Sequence, residues 1–383
     1  MLCANQQMIA QVFEFLQDEK PVLVDWLPWH HTFGGNHNFG IALYNGGTLH
    51  IDEGRPTPSG FARTAENLRQ ISPTIYFTVP RGFDMLLNQM RDDTALAERF
   101  FSRMRLMFYA GAALSAPVWN GLREAAIRCC GMRIPMLTGL GSTETGPFAV
   151  TSVWDADKPG EIGVPAPGVE LKLAPTGHRL EVRLRGPAVT PGYWKQPDLT
   201  EAAFDEEGFY RMGDAAHFKD PLDPSQGLIF DGRIGEDFKL TTGVWVNVAN
   251  VRSRVLSAMA PLVQDAIVVG QDRDEVGVLL ILDQAACRAH LADGAAIWGN
   301  PVIARWLLDR LQIVGGGGSS ERVRRIGVLR RQLSLDGGEV TDKGSVNSRK
   351  VMEMRAGLVD SIYRSETLAW ETVVDAVASL SPL

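Results

Sequence analysis

Short runs of β-branched and aromatic residues alternate with helical patterns through roughly the first 150 residues, and that alternation leaves few folds open. The runs are 22–24 (VLV), 41–49 (IALYNGGTL) and 74–79 (TIYFTV). Each is bounded by Pro or Gly and reads as a buried strand. Helical patterns occupy 61–70, 83–90 and 117–130, where Pro117 suits a first turn and Gly131 a stop. An earlier helix over 5–17 places Met8, Ile9, Val12, Phe13 and Leu16 on one face. Together these predict an α/β fold built on a parallel sheet.

From 150 to 235 Gly and Pro become frequent, and alternating segments such as 180–185 (LEVRLR) predict a small antiparallel β unit. Beyond Arg233 a separate α+β module is expected, with strands at 265–270 and 276–282 and helices near 300–312 and 346–362. The glycine run at 315–318 reads as a flexible loop, since no Lys-Ser/Thr follows it. A length of 383 residues agrees with two or three such units.

Composition removes several function classes. The longest apolar runs, such as 276–282 (VGVLLIL), fall far short of the roughly 20 residues of a membrane helix. The amino terminus lacks the basic and apolar regions of a signal peptide. Cys3, Cys129, Cys130 and Cys287 form no CxxC pair, which argues against a disulfide framework or zinc knuckle and fits a reducing, cytoplasmic compartment. A net charge of −7 argues against bulk nucleic-acid binding while leaving room for a local anion site.

Five segments carry chemistry, each with a plainer reading beside it. GLGSTETG (139–146) follows an apolar run; its glycines allow close backbone approach, its hydroxyls and amides suit phosphate oxygens, and its carboxylate suits magnesium. The plain alternative is a polar surface turn. In FYRMGD (209–214) an Asp after a Gly turn suits a vicinal diol, or merely caps the turn. DGRIGEDFK (231–239) alone reads as an exposed connector. LPWHHTFG (27–34) invites a metal, but adjacent histidines rarely face one ion and His37 completes no ligand spacing, so pocket-lining or structural histidines are expected. GEVTDKGSVN (338–347) carries a Lys beside Gly that is either solvated or able to reach an anionic reacting centre.

In their order, these segments resemble the adenylate-forming (AMP-binding) acyl-CoA synthetase superfamily, more closely its feruloyl-CoA synthase-like branch, over about residues 5–355. LPWHHTFG is similar to that family's LPxxHxxG segment, FYAGAALS (108–115) to its adenine-site strand and loop, and LGSTETG to its YGxTE loop. RGPAVTPGYW (185–194), YRMGD, DGRIGEDFK and GEVTDKGSVNSR follow at suitable intervals.

The resemblance implies the carboxyl-terminal portion of a large adenylate-forming domain over 1–235, and a small α+β domain over 236–383 that closes over the active site. It implies ATP, magnesium and coenzyme A as cosubstrates and cofactor, with a hydroxycinnamate-type acid such as ferulate activated to an acyl-adenylate and passed to CoA. Thr143 would bind the adenylate phosphate and Glu144 the magnesium. Gly111, Ala112 and Ala113 would flank adenine together with Leu140 and Gly141. Asp214 would hold the ribose hydroxyls and Arg233 contact the ribose. Glu236 would be the hinge, and Lys239 and Gly243 would border the nucleotide site and the pantetheine tunnel. Lys343 would be the adenylation lysine. Trp29, His31, Phe108 and Gly139 would line the acyl pocket, with His31 at the family's histidine position. Homo-oligomer formation is left open.

Three departures stand out. Leu140 replaces the usual adenine-stacking aromatic. The usual Gly-Lys order reads Lys343-Gly344. The family's Ser/Thr/Gly-rich phosphate loop has no counterpart, because Met1 to His31 contains no Gly, Ser or Thr. The expectation is therefore a chain lacking the amino-terminal part of such an enzyme. Two alternatives follow: a catalytically silent homologue that binds an adenylate, acyl or CoA ligand, and an adenylation domain that loads a carrier protein. Residues 321–350 hold eight Lys/Arg against four Asp/Glu, which suits polyanionic CoA or a solvated basic face.

Overall fold

The computed structural model describes the whole chain except residues 56, 113, 156–159, 315, 317, 335, 342–345, 365–367, 372–383 and the side chains of 58 and 59. The described residues divide into two compact units, Met1–Ile234 and Gly235–Thr341 with Val346 onward.

The first unit opens with a helix, Leu2–Val12, and a short tight turn, Glu14–Gln17, which bury Met8, Ile9, Phe13 and Leu16 as the sequence pattern predicts. Strands β1 (Val22–Asp25) and β2 (Thr48–Ile51) pair in parallel. Strands β3 (Ile75–Thr78), β4 (Leu106–Tyr109) and β5 (Met136–Ser142) form the parallel part of a nine-stranded sheet. The antiparallel part consists of β6 (Gly146–Thr151), β7 (Glu161–Pro165), β8 (Glu170–Thr176), β9 (Arg179–Arg185), β10 (Tyr210–Phe218) and β11 (Leu228–Arg233). The spatial order is β3-β4-β5-β6-β7-β11-β10-β9-β8. The small β unit expected over 150–235 is thus a continuation of the parallel sheet through shared hydrogen bonds.

The apolar runs are continuous because both faces of the parallel strands are buried. Side chains alternate between two cores. Tyr76, Met107, Tyr109 and Met136 face a layer formed by the helices Pro58–Gln70, Pro80–Asp92, Thr94–Phe101 and Ala116–Cys130. Ile75, Phe77, Leu106, Phe108 and Leu137 face an aromatic core with Phe13, Phe33 and Phe148. The helix Ala116–Cys130 ends at Gly131, whose φ of +70° closes it in the left-handed form.

One expectation fails. Residues 41–49, read as a strand, form the helix Gly40–Tyr44 followed by a turn into β2. A wide helical turn over Phe33–Phe39 runs straight into Gly40, so the chain arrives already helical. Ile41 and Ala42 then face the core while Leu43 and Tyr44 stay exposed, a helical burial pattern hidden within a β-branched and aromatic composition.

In the second unit β12 (Phe238–Lys239) pairs with β13 (Trp245–Val246). A four-stranded sheet follows in the order β14 (Val263–Val269), β15 (Val276–Leu282), β16 (Val323–Leu329) and β17 (Leu368–Trp370). The helices Val248–Met259, Gln284–His290 and Pro301–Val314 share one core with it. The helices Ser348–Met354 and Ala356–Arg364 share another. No helix among the described residues is long and apolar enough to cross a membrane.

Asp25, at the end of β1, is buried, and that burial pushes its carboxyl up to about 7 against the Leu27 N–H and the Asn38 side chain; nearby Asp52 adds to the rise. The folded state therefore holds the proton more tightly than the unfolded chain does. Asp25 supports folding fully below about pH 4, and this support is lost as pH rises towards 7. Asp25→Asn is expected to be more stable than the parent by on the order of 2 kcal/mol at pH 8, with the difference shrinking towards zero at pH 4. Urea denaturation at both pH values checks this; an equal difference at the two would contradict it.

Candidate nucleotide and acyl site

β5 pairs in parallel with β4 as far as Thr138, then turns to pair antiparallel with β6 from Gly139 onward. A clasp fixes the change of partner. The Ser152 hydroxyl accepts the Thr138 N–H at 2.8 Å, the Ser152 N–H donates to the Thr138 carbonyl at 2.9 Å, and the Thr138 hydroxyl donates to the Tyr109 carbonyl at 2.8 Å. The crossing is tight. A Cβ at Gly139 would lie 2.7 Å from the Val150 carbonyl oxygen, and one at Gly141 would lie 2.5 Å from that of Gly146. Glycine is required there to let two backbones approach.

The turn from β5 to β6 carries Thr143 and Glu144. The Thr145 hydroxyl locks it by accepting the Ser142 N–H at 2.9 Å, which leaves Thr143 exposed. Glu144 Oε1 accepts a hydrogen bond from the Tyr193 hydroxyl at 3.0 Å, and that hydroxyl lies 3.2 Å from the hydroxyl of Tyr210. The Thr190 N–H donates to the Glu144 carbonyl at 2.6 Å. Tyr210 opens β10, which also carries Asp214. Burial pushes the Tyr210 phenol well above its ordinary value, and the Tyr193 hydroxyl with the negative charges of Glu144 and Asp214 pushes it the same way.

Asp214 is buried and lies opposite Arg233 in the β10–β11 ladder, where Arg233 Nε stands 3.2 Å from its Oδ1. The ladder is irregular on both sides of Asp214. The preceding Gly213 donates its N–H to Glu181 Oε1 at 3.2 Å. Arg183 holds Glu181 by its Nε at 2.8 Å and Asp205 by Nη1 at 3.0 Å, and Lys172 reaches Asp205 at 2.8 Å. Hydrogen bonds therefore connect Glu144, Tyr193 and Tyr210, and β10 carries both Tyr210 and the Asp214 that pairs with Arg233, all within one unit.

The other expected residues are placed as follows. Gly111 and Ala112 are exposed just past the carboxyl end of β4, the neighbour of β5, at the sheet end where ligands of open α/β folds bind. Ala113 lies outside the described residues, as does Lys343. Leu140 is half-buried against the β-unit core. Phe108 is 2% exposed, packs beside Gly139, and shares the aromatic core with His37. Trp29 is 50% exposed and lies 5.3 Å from the Phe39 ring. His31 is half-buried and accepts the Phe33 N–H on Nδ1 at 3.2 Å. His37 is fully buried, and burial lowers it to about 4 against the opposing pull of Asn38.

In the second unit Glu236 is exposed, Lys239 lies 5.0 Å from the Trp245 ring, and Gly243 turns between β12 and β13 with φ +79°. Several cations of the 321–350 stretch are matched by carboxylates: Arg325 by Glu275 at 3.0 Å, Arg331 by Glu371 at 3.4 Å and Lys350 by Glu353 at 3.2 Å.

Among the described residues no three His, Cys, Asp or Glu side chains group to hold a metal ion. Glu144 is a hard oxygen donor with one oxygen committed to Tyr193. A single carboxylate of this kind fits magnesium shared with nucleotide phosphates, since that ion usually keeps its waters and takes only one or two protein carboxylates.

A sequence profile of the AMP-binding enzyme family matches residues 1–194, about half of the chain. The chain belongs to this family. An anthranilate–CoA ligase of Pseudomonas aeruginosa is 28% identical over 250 residues, covering 62% of this chain and 43% of that protein. A malonate–CoA ligase of Arabidopsis thaliana is 25% identical over 247 residues, covering 62% and 38%. The chain thus spans about two fifths of the length of these curated relatives. The α/β fold matches that of adenylation domains. The AMP-bound A domain of a carboxylic acid reductase from Segniliparus rugosus superposes with a TM-score of 0.69 at 20% identity, over 93% of this chain and 58% of that one. An anthranilate CoA ligase bound to anthranoyl-AMP gives 0.67 at 21% identity, over 92% and 63%.

Sequence reasoning missed Tyr193 and Tyr210. Both lie inside segments singled out for other residues, GYW and FYRMGD, and a phenol next to a carboxylate-bearing motif is the signal that would have found them. A double-mutant cycle on Tyr193→Phe and Tyr210→Phe is expected to give a coupling of about 0.5–1 kcal/mol in urea denaturation. Strict additivity would show that the two hydroxyls act independently.

Proposed function

We propose that this chain provides the nucleotide- and acyl-binding part of an ATP-dependent activation of an aromatic, hydroxycinnamate-type carboxylic acid, giving an acyl-adenylate whose acyl group passes to CoA. The observation that carries this reading is that the hydrogen-bonded run Glu144–Tyr193–Tyr210 ends on β10, the strand that bears the Asp214–Arg233 pair, because it ties the proposed metal-binding and ribose-binding carboxylates into one unit. The family membership supports the reaction class, and an anthranilate–CoA ligase among the relatives supports an aromatic acid.

In this reading Asp214 accepts hydrogen bonds from the ribose diol, and Arg233 orients that carboxylate. Thr143 presents its exposed hydroxyl and the backbone of its turn to the α-phosphate. Gly111 and Ala112 offer a surface without bulky side chains to adenine, and the half-buried Leu140 packs on it by apolar contact. Glu144 would hold magnesium, which when bound offsets the anionic charge of the nucleotide phosphates. Tyr193 keeps the Glu144 carboxylate oriented, and the raised Tyr210 phenol remains protonated as a donor. Lys343 supplies an ammonium against charge developing at the α-phosphate. His31, Trp29 and the Phe108–Gly139 wall bound the aromatic acid.

The test is calorimetric titration of the chain with feruloyl-sulfamoyladenosine, an unreactive stand-in for the adenylate, with and without magnesium. Saturable binding is expected, weakened about tenfold or more by Asp214→Ala, and less dependent on magnesium in Glu144→Gln. Absence of binding, or an affinity that Asp214→Ala leaves unchanged, would overturn the reading. Tight binding with no thioester formed across a panel of acids and CoA would point to the ligand-binding homologue instead.

A further inference from the structure

Among the described residues of the second unit, Arg355, Glu339 and Glu371 form a buried ion cluster. Arg355 is 5% exposed, Glu339 0% and Glu371 7%. The guanidinium grips Glu339 with both arms, Nε to Oε1 at 2.8 Å and Nη2 to Oε2 at 2.9 Å, and gives Nη1 to Glu371 Oε1 at 2.5 Å. Both carboxylates also accept backbone N–H groups: Ser334 on Glu339 Oε2 at 2.9 Å, and Arg330 and Arg331 on Glu371 Oε2 at 2.9 and 3.1 Å. Burial works against the charged form of Glu371, but those two amides and Arg355 hold it below its ordinary value.

What the cluster encloses gives it meaning. The Glu339 carbonyl accepts the Asn347 N–H at 2.8 Å, and Val340 bridges Val346, so residues 339–340 and 346–347 are pinned together. Asn347 then caps the helix Ser348–Met354, its Oδ1 accepting the Lys350 N–H at 3.2 Å. That helix delivers Arg355, whose N–H donates to the Val351 carbonyl at 2.8 Å. The fork from Arg355 back to Glu339 closes the circuit. Lys343 itself lies outside the described residues, but the sequence puts it three residues after Val340 and three before Val346.

A buried ion pair adds little net stability over apolar packing of the same volume, and its best-attested use is to fix register. We infer that Arg355, Glu339 and Glu371 are positioning residues that fix residues 339–340 against 346–347, the segments between which the sequence places Lys343, so that the contribution of this lysine to adenylation depends on the triad. This rests on the reading of Lys343 given above. Each of the three acts through the paired segments 339–340 and 346–347.

The test uses the full 383-residue chain and Arg355→Lys, which keeps the charge and removes the fork. Amide exchange at Asn347, whose N–H is bonded to Glu339, is expected to rise about tenfold while exchange in β15 and β16 stays unchanged. Isotope-coded acylation then compares the Lys343 amine with the same lysine in a free 338–348 peptide. In the parent the two rates are expected to differ by about threefold or more, and in Arg355→Lys to converge on the peptide value. Glu371→Gln, which spares the Glu339 fork, should shift Lys343 less.

Unchanged exchange at Asn347, or a parent lysine that already labels like the peptide, would overturn the proposal. So would equal or global effects from both variants. The adenylation link is read separately by ATP–pyrophosphate exchange. If Lys343→Ala leaves that rate unchanged, the reading of Lys343 fails and the adenylation link falls with it, whatever the labelling shows.

Discussion

The candidate site depends on the change of partner in β5 at Thr138 and Gly139. Before that point the strand belongs to a parallel layer buried on both faces, and after it the same strand opens an antiparallel ladder. The Thr138–Ser152 clasp holds the change in place, and Gly139 and Gly141 allow backbones to come within distances that a Cβ would forbid. A strand that leaves one sheet partner for another exposes the end of its neighbour, and the exposed Gly111–Ala112 loop lies at that end. The turn bearing Thr143 and Glu144 follows four residues after the crossing.

The second half of the site comes from the far side of the antiparallel region. β10 and β11 supply Asp214 and Arg233 across from one another, while Tyr210 at the start of β10 meets Tyr193, which donates to Glu144. Buried carboxylates are costly unless paired or hydrogen-bonded. Asp214 has Arg233, Glu144 has Tyr193, and the supporting Glu181 has Arg183 and the Gly213 amide. Such partners hold the acidic groups oriented, which would reduce the ordering that binding the proposed ligand must bring about.

Much of this was legible in the sequence. Strands with two buried faces announce themselves as continuous apolar runs, and 22–24 and 74–79 lie within a residue of β1 and β3. The helix ending at Gly131 was readable from its Pro and Gly alone. The 41–49 run misled because composition favoured a strand, while the helical turn before it had already set the backbone direction. The merging of the antiparallel strands with the parallel sheet was not readable, because strand order depends on pairing between distant segments. The same holds for the tyrosine contacts: Tyr193 and Glu144 are 49 residues apart. Local motifs named the carboxylates, but only the fold revealed what orients them. The Glu339–Arg355–Glu371 triad was invisible for the same reason, its members looking like ordinary surface charges one by one.

In the proposed function the segments around Glu144 and Asp214 serve one ligand. Hydrogen–deuterium exchange of the chain with and without feruloyl-sulfamoyladenosine tests it most directly. The account predicts slower exchange together at 111–112, 142–146 and 211–215, with little change in the helix Ala116–Cys130. Slowing confined to a single one of these segments, with the others indifferent to the ligand, would contradict it.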